Sequence, residues 1–409
     1  MTFRRPLLLI PLAAAVLLAF RRQDAPACDA DNAGLVLPSG FCATLYASVP
    51  GVRHVAVAPN GDVFASGSRR GGVVGLRDRK GTGHADTTVT FGTGTGTGIA
   101  IGPDAIYFAP DDRVIRFAWT PGSLTPNDQG TIVVSGLPAG GHTAKTLALS
   151  RDGGIFVDHG SATNSCQVAD RVGKSPGKQP CPELPTRAGT WRYDSRKANQ
   201  TPADGEHWTT GVRNGMAIAI NPTTGALWGA THGRDQLSDW GMSATDNAEK
   251  PAEEFGLFAK GADYGWPYCY YDPIEKKKVQ APEYGGDGIK PGDCAQKTQP
   301  AIAFPGHWAP MSLAFVPGNG FGPGFAGGAF LAFHGSWNRA PLPQAGYRVV
   351  FIPFRNGQPT GQYSTFATGA GGATSLRASG VAMAPDGRAL FIASDAAGKI
   401  WRVIPTTSR

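Results

Sequence analysis

Residues 211–241, GVRNGMAIAINPTTGALWGATHGRDQLSDWG, carry the pattern that decides the fold of this chain. Two alternating apolar runs flank a Thr-Gly turn at 224–225, as in an antiparallel β-hairpin. An Arg-Asn pair at 213–214 precedes the first run, and a His-Gly-Arg-Asp segment at 232–235 follows the second. Because the start of the first strand lies beside the end of the second, these polar residues are predicted to share one end of the hairpin, where a β protein can place a site.

The same hairpin pattern recurs six times along the chain. In each copy an apolar alternation leads into a turn with Gly, Pro or Asp, and a second apolar run follows. The copies span residues 54–67, 98–119, 146–160, 216–233, 311–335 and 379–403. Six such units predict an all-β fold, a six-bladed β-propeller with loop insertions on one face, which are assigned to the long intervals 160–212 and 234–310. A sandwich or barrel built from the same hairpins is the alternative.

The composition favours a turn-rich β protein. Glycine (57 residues) and proline (33 residues) together make up over a fifth of the 409 residues, well above ordinary usage. Hydrophobic residues at 41% still allow a core. No long helical pattern appears after the first twenty residues, so many short strands joined by Gly/Pro turns are the expected structure.

The first 27 residues are predicted to be an export leader. Arg4 and Arg5 precede an apolar stretch from Leu7 to Phe20, which is short for a membrane span. The remaining residues, 28–409, are then a single propeller domain in the periplasm or outside the cell. An uncleaved anchor is the alternative, and contact with a membrane is expected only if the leader is retained.

The charge balance argues against a nucleic-acid partner. The formal net charge of +7 falls to +3 when the four leader arginines, Arg4, Arg5, Arg21 and Arg22, are set aside. Lys276–Lys278 form a short basic run beside acidic residues, which is typical of a solvated loop.

Six cysteines in an exported chain predict disulfide bonds. Pairing neighbours along the sequence gives Cys28–Cys42, Cys166–Cys181 and Cys269–Cys294. This local connectivity is one of 15 possible arrangements.

Polar residues stand beside several of the hairpins, and hairpin ends of a propeller converge on a central funnel. His142 precedes the third repeat, Arg213 and Asn214 precede the fourth, and Arg377 opens the sixth. A neutral histidine near a substrate hydroxyl can act as general base. Several arginines around it can hold a planar ligand with several negative charges.

Two further features belong to this set of candidates. Trp337 follows the fifth repeat, and either packs against the ligand or fills the core. Asp235 and the carbonyls of residues 232–234 offer oxygen ligands suited to Ca²⁺. The sequence has no Walker loop, nucleophile elbow or HExxH motif.

Several longer segments resemble a known family. They are GVRNGMAIAINPTTGALW, GRDQL, DYGWPYCYYDP, HWAPMSLAF, FLAFHGSWNRAPLPQAGYRVVFIPF and RASGVAMAPDGRALFIASDAAGKIWRV. Over roughly residues 35–404 the chain resembles the glucose/sorbosone dehydrogenases that depend on pyrroloquinoline quinone (PQQ), and YGWP with HGSWNR points to the sorbosone-dehydrogenase-like branch. These are six-bladed propellers, in agreement with the repeat count.

The resemblance implies roles for the candidate residues. His142 is expected to be the catalytic base and to contact the cofactor. Arg213 and Asn214 are expected to contact the reactive edge of the quinone, and Arg377 a cofactor carboxylate. The implied reaction is hydride transfer from a sugar C–H to the quinone, with Ca²⁺ polarising the quinone.

The resemblance also implies a calcium site and a further cationic contact. Carbonyls of His232, Gly233 and Arg234 are expected to bind Ca²⁺, with Asp235 and Tyr264 supporting the site. Trp337 is assigned to the cofactor pocket. Where the soluble glucose enzymes place a lysine in blade five, this chain has HGSW at 334–337, so Lys145 and Arg339 are candidates to replace that lysine.

The sequence therefore predicts a PQQ- and calcium-dependent dehydrogenase that oxidises an aldose or sugar aldehyde. A propeller that binds sugars, glycans or a partner protein without catalysis is the second hypothesis, and a metal-dependent lactonase-type hydrolase is the third. The electron acceptor is unknown, since no CxxCH haem motif is present.

Overall fold

Six antiparallel sheets form the body of the computed structural model, which describes residues 1–2 and 28–406. The predicted leader, 1–27, lies outside the described residues except for its first two. No helix in the described ranges is both long enough and apolar enough to cross a membrane. The all-β propeller prediction is confirmed.

The strands of each blade follow one another from the centre of the ring outward. Blade 1 consists of Val55–Val57, Val63–Ala65, Val73–Arg77 and Thr87–Phe91; blade 2 of Gly96–Ile101, Ala105–Pro110, Arg113–Ala118 and Thr131–Ser135; blade 3 of Leu147–Leu149, Gly154–His159, Gly189–Asp194 and Glu206–Thr210; blade 4 of Ala217–Ile220, Leu227–Thr231, Glu253–Leu257 and Ile302–Phe304; blade 5 of Pro310–Phe315, Ala329–Phe333, Arg348–Ile352 and Ser364–Gly369; and blade 6 of Ala378–Met383, Leu390–Ser394, Lys399–Pro405 and Phe41–Ser48.

The remaining elements are short. Ala262–Asp263 extends blade 3 and Leu35–Val36 extends blade 5 as a fifth strand. The others are two small hairpins, Cys269–Asp272 with Lys277–Gln280 and Phe354–Arg355 with Gln358–Pro359; one α-helix, Ala244–Glu249; and five 3₁₀ turns, Asn32–Gly34, Pro202–Asp204, Leu237–Trp240, Pro282–Tyr284 and Gly292–Gln296.

The two ends of the described chain close the ring. The N-terminal strand Phe41–Ser48 pairs with the C-terminal strand Lys399–Pro405 to complete blade 6. The innermost strands of successive blades also contact each other around the whole circle, including blade 6 against blade 1. Closure removes the exposed sheet edges that an open stack of hairpins would present.

The predicted hairpins are the two inner strands of each blade. In blade 4, Ala217 pairs with Ala230 and Ile220 with Leu227 around the predicted turn. The amide of His232 donates a hydrogen bond of 3.0 Å to the carbonyl of Asn214, so the two polar ends of this hairpin meet as predicted. The face of the ring that carries these ends is called the site face below.

The hydrophobic core lies between neighbouring blades. Between blades 4 and 5, Trp228 and Phe255 stack with ring centroids 5.5 Å apart, and Phe354 packs edge-on against Trp228. Similar clusters join each blade to the next. Contact between blades thus holds the hairpin ends at fixed positions around the site face.

The two long intervals contain more than insertions. Each also holds the third and fourth strands of its blade, so the inserted loops make up only part of 160–212 and 234–310. The actual insertions are stapled by Cys166–Cys181 and Cys269–Cys294, and Cys28–Cys42 ties the N-terminal segment to blade 6. The predicted local connectivity is confirmed.

Candidate active site

A polar cavity of about 200 Å³ lies on the site face. Blades 3, 4 and 5 and their insertions contribute its walls. The lining residues are His142, Arg171, Arg213, His232, Gly233, Asp235, Glu253, His307, Ala309, Gly335, Trp337 and Asn338. Most of them stand directly before the first strand or after the second strand of a blade, so the hairpin geometry brings them together.

A glycine allows the polar groups of blades 3 and 4 to approach each other. A Cβ on Gly160 would lie 2.6 Å from Cβ of His142 and 3.2 Å from Oδ1 of Asn214. Any larger residue would force His142 or Asn214 away. Asn214 is 7% exposed, and its Oδ1 is buried without a hydrogen-bond partner among the described residues.

The surroundings of His142 select one tautomer of its imidazole. Nδ1 lies 3.0 Å from the carbonyl oxygen of Ser161 and 3.0 Å from its Oγ. The Ser161 hydroxyl donates its own proton to the carbonyl of Thr163, so it accepts from the ring. Nδ1 therefore carries the proton, and Nε2 is left with its lone pair.

The electrostatics keep His142 neutral. Burial lowers the pKa of His142 to about 2, and the neighbouring Arg213 and His232 act in the same direction. Burial also lowers the pKa of His232 to about 4, and His232 is 2.7 Å from the carbonyl of Pro310 through Nε2. Both rings are therefore uncharged at neutral pH, which leaves Nε2 of His142 able to accept a proton.

Arg213 is buried and held by four acceptors. Nε donates to the carbonyl of Asn164 at 3.0 Å, and Nη2 donates to Oδ1 of Asn164 at 3.0 Å and to Oδ2 of Asp235 at 3.2 Å. Nη1 donates to the carbonyl of Gly233 at 2.9 Å. These bonds position the positive charge at the cavity wall and use most of the five N–H groups of the guanidinium.

Asp235 links the walls of the cavity. Its Oδ2 also accepts from Nη2 of Arg171 at 3.0 Å, and its Oδ1 accepts from Nδ2 of Asn338 at 2.9 Å. Burial raises the pKa of Asp235, but Arg213, His307 and Arg171 outweigh burial and bring the pKa below its ordinary value. The carboxylate is therefore ionised and already neutralised by two arginines.

The predicted calcium ligands are divided between the cavity and a smaller space beside it. Gly233 and Asp235 line the cavity. Gly233 also lines the smaller space, of about 20 Å³, together with Arg234 and Tyr264. There the Tyr264 hydroxyl donates to the carbonyl of Leu257 at 3.2 Å, while the side chain of Arg234 forms a buried ion pair with Glu283.

Carboxylate and histidine ligand atoms also fail to form a metal centre at the cavity. Within residues 28–406 the one grouping of three such ligand atoms is Cys166, Cys181 and Glu183, and both cysteines belong to a disulfide. The carbonyl of Gly233 accepts a hydrogen bond from Arg213. These side chains therefore form no calcium site in the described residues, and the predicted carbonyl ligands stay a prediction.

A second polar chain spans blades 5, 6 and 1. His334 lies 2.7 Å from Oδ1 of Asp395 through Nε2, and Nη2 of Arg377 donates to its Nδ1 at 3.0 Å. Nη1 of Arg53 lies 3.5 Å from Oδ2 of Asp395 and completes the polar chain. Nε of Arg377 and Nε of Arg53 are buried without partners among the described residues.

Three polar cavity residues were missed by the sequence reasoning: Arg171, Glu253 and His307. His307 stands just before the first strand of blade 5, so the hairpin rule that found Arg213 would have found it. Glu253 is 2% exposed and accepts from the amides of Gly233 at 2.9 Å and Ala309 at 3.3 Å. Burial raises the pKa of Glu253 to about 8, so this carboxyl is protonated at neutral pH.

The structure agrees only in part with the roles expected of Trp337, Lys145 and Arg339. Trp337 lines the cavity but is 70% exposed, so the core-filling alternative is wrong. Nζ of Lys145 binds the carbonyls of Pro138 and Thr143. The guanidinium of Arg339 binds other groups and does not line the cavity; its partners are the carbonyls of Ala248 and Gly306 and the carboxylate of Glu249. Neither cation is available to replace the blade-five lysine.

Comparison with known sequences finds a family match over almost the whole propeller. A family model described as TrAA12-like matches residues 35–406. The chain is 28% identical over 167 residues to the pyrroloquinoline quinone-dependent pyranose dehydrogenase of Coprinopsis cinerea, covering 34% of this chain and 22% of that protein. It is 24% identical over 304 residues to the pyrroloquinoline quinone-dependent sugar dehydrogenase of Hypocrea jecorina (strain QM6a), covering 68% and 64% respectively. Each match spans less than two thirds of the relative's length.

Solved structures share the fold. The holo form of the pyranose dehydrogenase PQQ domain from Coprinopsis cinerea superposes with a TM-score of 0.74 at 20% identity, covering 90% of this chain and 97% of that one. The calcium structure of the Trichoderma reesei family AA12 enzyme gives 0.76 at 20% identity, covering 91% and 97%.

Proposed function

Because the chain belongs to the TrAA12-like family over residues 35–406, we propose that it is a PQQ-dependent oxidoreductase that oxidises an aldose or a sorbosone-like sugar aldehyde. The resemblance noted in the sequence is confirmed at the level of the family. The PQQ-dependent pyranose and sugar dehydrogenases among its relatives support the cofactor and the sugar substrate. The observation that carries the proposal is His142, whose Nε2 lone pair lies in a cavity also lined by the buried cation Arg213.

The charges around the cavity suit an anionic planar cofactor. Arg171 and Arg213 line the cavity with one ionised carboxylate between them, while Glu253 is protonated. Outside the lining of this cavity, Arg377 of the second polar chain is a further cation, and its buried Nε has no partner among the described residues. A quinone with several carboxylates would be attracted by the charge of Arg213, would accept from the amide of Asn214, and would be bound by Arg377, whose guanidinium matches carboxylate geometry.

The residues of the chain then handle the proton. When bound, the quinone accepts a hydride and so oxidises the sugar carbon. His142 takes the proton of the substrate hydroxyl at Nε2, because Nδ1 is engaged by Ser161. Arg213 stabilises negative charge that develops at the cavity wall, where low dielectric strengthens the interaction.

Calcium stays a prediction. The calcium structure of the Trichoderma reesei family AA12 enzyme supports it. Against it, Asp235 is already neutralised by two arginines, and the carbonyl of Gly233 accepts a hydrogen bond from Arg213. Periplasmic or secreted location is likewise proposed, with three disulfides in its support. The electron acceptor is left open.

Reconstitution tests the function. The purified chain is titrated with PQQ by fluorescence, with and without Ca²⁺, and then assayed for dye-linked oxidation of a panel of aldoses and sugar aldehydes. His142→Ala should keep quinone binding and lose oxidation, and His84→Ala, at a histidine whose side chain is 46% exposed, is the matched control. Sugar binding without quinone binding would favour the non-catalytic propeller.

A further inference from the structure

Trp337 differs from the other tryptophans of the chain. All nine lie within the described residues, and Trp337 alone is exposed, at 70%. Singly exposed apolar residues are common, but Trp337 also lines the active-site cavity. An exposed aromatic residue in the wall of a cavity is available to a ligand that extends from the cavity into solvent.

The backbone under this ring is held firmly. The amide of Ser336 donates to the carbonyl of Ala345 at 2.9 Å, and the Ser336 carbonyl accepts from the hydroxyl of Tyr347 at 2.5 Å. On the other side, Asn338 donates to Asp235 at 2.9 Å. Both neighbours of Trp337 are thus fixed, so the chain that carries the ring has little freedom left to lose on binding.

The cavity next to Trp337 offers polar groups rather than an apolar groove. Arg171 is 39% exposed at its side chain, and Asn338 keeps an Oδ1 with no partner in the described part of the chain. An exposed aromatic face beside planar hydrogen-bonding groups matches the two faces of a sugar ring, which has apolar C–H groups and a rim of hydroxyls. An apolar protein surface would leave these polar groups unpaired.

We propose that Trp337 is a stacking subsite for a sugar ring outside the cavity, so that the chain binds gluco-oligosaccharides more tightly than monosaccharides. This inference rests on the proposed function for the ring that enters the cavity. All-equatorial glucose rings present flat C–H faces to an indole. The assignment of Trp337 to the cofactor is thereby replaced by contact with the substrate.

The test measures binding of glycosides that cannot be oxidised at the reducing end. Methyl β-glucoside, methyl β-cellobioside and methyl β-cellotrioside are titrated by calorimetry into the full chain, without quinone, for wild type, Trp337→Ala, Trp337→Phe and the control Ile274→Ala. Ile274 is an exposed hydrophobic residue, 58% exposed, in a distant turn. Circular dichroism verifies that each variant is folded.

Wild type should bind the trioside more tightly than the glucoside, and Trp337→Ala should reduce that ratio by roughly three- to tenfold. Trp337→Phe should reduce it less, and Ile274→Ala should leave it unchanged. An unchanged ratio in Trp337→Ala would overturn the proposal. Unchanged glycoside binding by Trp337→Ala together with slower reduction of cytochrome c would also overturn the proposal. That result would mean that the ring contacts a protein electron acceptor. Trioside binding in a chain that never binds quinone would retain the subsite and reject the proposed oxidation.

Discussion

Arg213 and Asp235, at opposite ends of the blade 4 hairpin in the sequence, form an ion pair with Nη2 and Oδ2 3.2 Å apart. Their side chains are 5% and 13% exposed, and the pair connects the cavity wall to the insertion that carries Arg171. The relationship explains how one hairpin can place a buried charge without leaving it unpaired. It also makes the pair the most sensitive point of the site.

Asp235→Asn should destabilise the protein by about 3 kcal/mol, because it leaves Arg213 buried without its counter-charge. The free energy of unfolding in urea measures this. Asp287→Asn, which removes the partner of the exposed Lys290, should change stability by less than about 0.5 kcal/mol. Equal effects of the two substitutions would show that the Arg213 pair does not hold the site together.

His142→Ala should lower kcat for sugar oxidation by about 10²- to 10⁴-fold, because the general base is lost. Ser161→Ala should lower it less, roughly tenfold, because the Ser161 carbonyl still orients Nδ1. Steady-state kinetics at saturating quinone measures both. A larger loss in Ser161→Ala than in His142→Ala would contradict the proposed tautomer.

The activity should persist as pH falls from 7 to 5. Burial and Arg213 lower the pKa of His142 to about 2, so Nε2 of the free enzyme stays unprotonated over this range. The pH profile of kcat/KM reports ionisations of the free enzyme. The prediction is contradicted if kcat/KM falls on the acid side near the ordinary pKa of histidine and only His142→Ala removes that fall. The pKa of His142 would then not be lowered by burial.

Glu253 should make stability fall as pH rises. Its pKa is raised from 4.5 to about 8 in the folded protein, so the folded state keeps a proton that the unfolded state releases between these values. Stability contributed by this proton is present at low pH and lost towards pH 8. The free energy of unfolding of Glu253→Gln, taken relative to that of wild type, should therefore rise by roughly 3 kcal/mol from pH 5 to pH 8.5.

Urea unfolding at both pH values measures the change. Glu206→Gln, at a surface carboxylate that is 37% exposed at its side chain, is the control and should show no such gain. If wild type and Glu253→Gln differ in free energy of unfolding by the same amount at both pH values, the Glu253 carboxyl does not ionise in this range.

Removing the Cys166–Cys181 disulfide should loosen the site as well as the fold. The double Ser variant loses a cross-link between residues 15 apart in sequence, which is worth about 3 kcal/mol. Hydrogen exchange should speed up in residues 160–188, and quinone affinity should fall because Arg171 lies in that insertion. Removing Cys28–Cys42, with a separation of 14, should cost similar stability and leave exchange near the cavity unchanged.

Sequence reasoning found the cavity residues that obey the hairpin rule. His142, Arg213 and Asp235 flank blade strands and line the cavity, and a period-two pattern with a tight turn specifies which residues share an end. It did not find Glu253, because a charged residue that opens a third strand carries no sign that burial will protonate it. The role of Tyr264 stays a prediction, and its side chain lines the small space that Gly233 and Arg234 also line.

The sequence by itself determined the six hairpins, the three local disulfides and the family, because each depends on neighbours along the chain. The tertiary structure alone decided which side chains face the cavity. Packing of neighbouring blades places His142 of blade 3 and Arg213 of blade 4 in the lining of one cavity, and the segment after the second strand of blade 4 directs Asp235 into that cavity and Arg234 onto Glu283. Exposure of Trp337 was decided there too, since whether a tryptophan fills a core or meets a ligand depends on what the distant chain leaves uncovered.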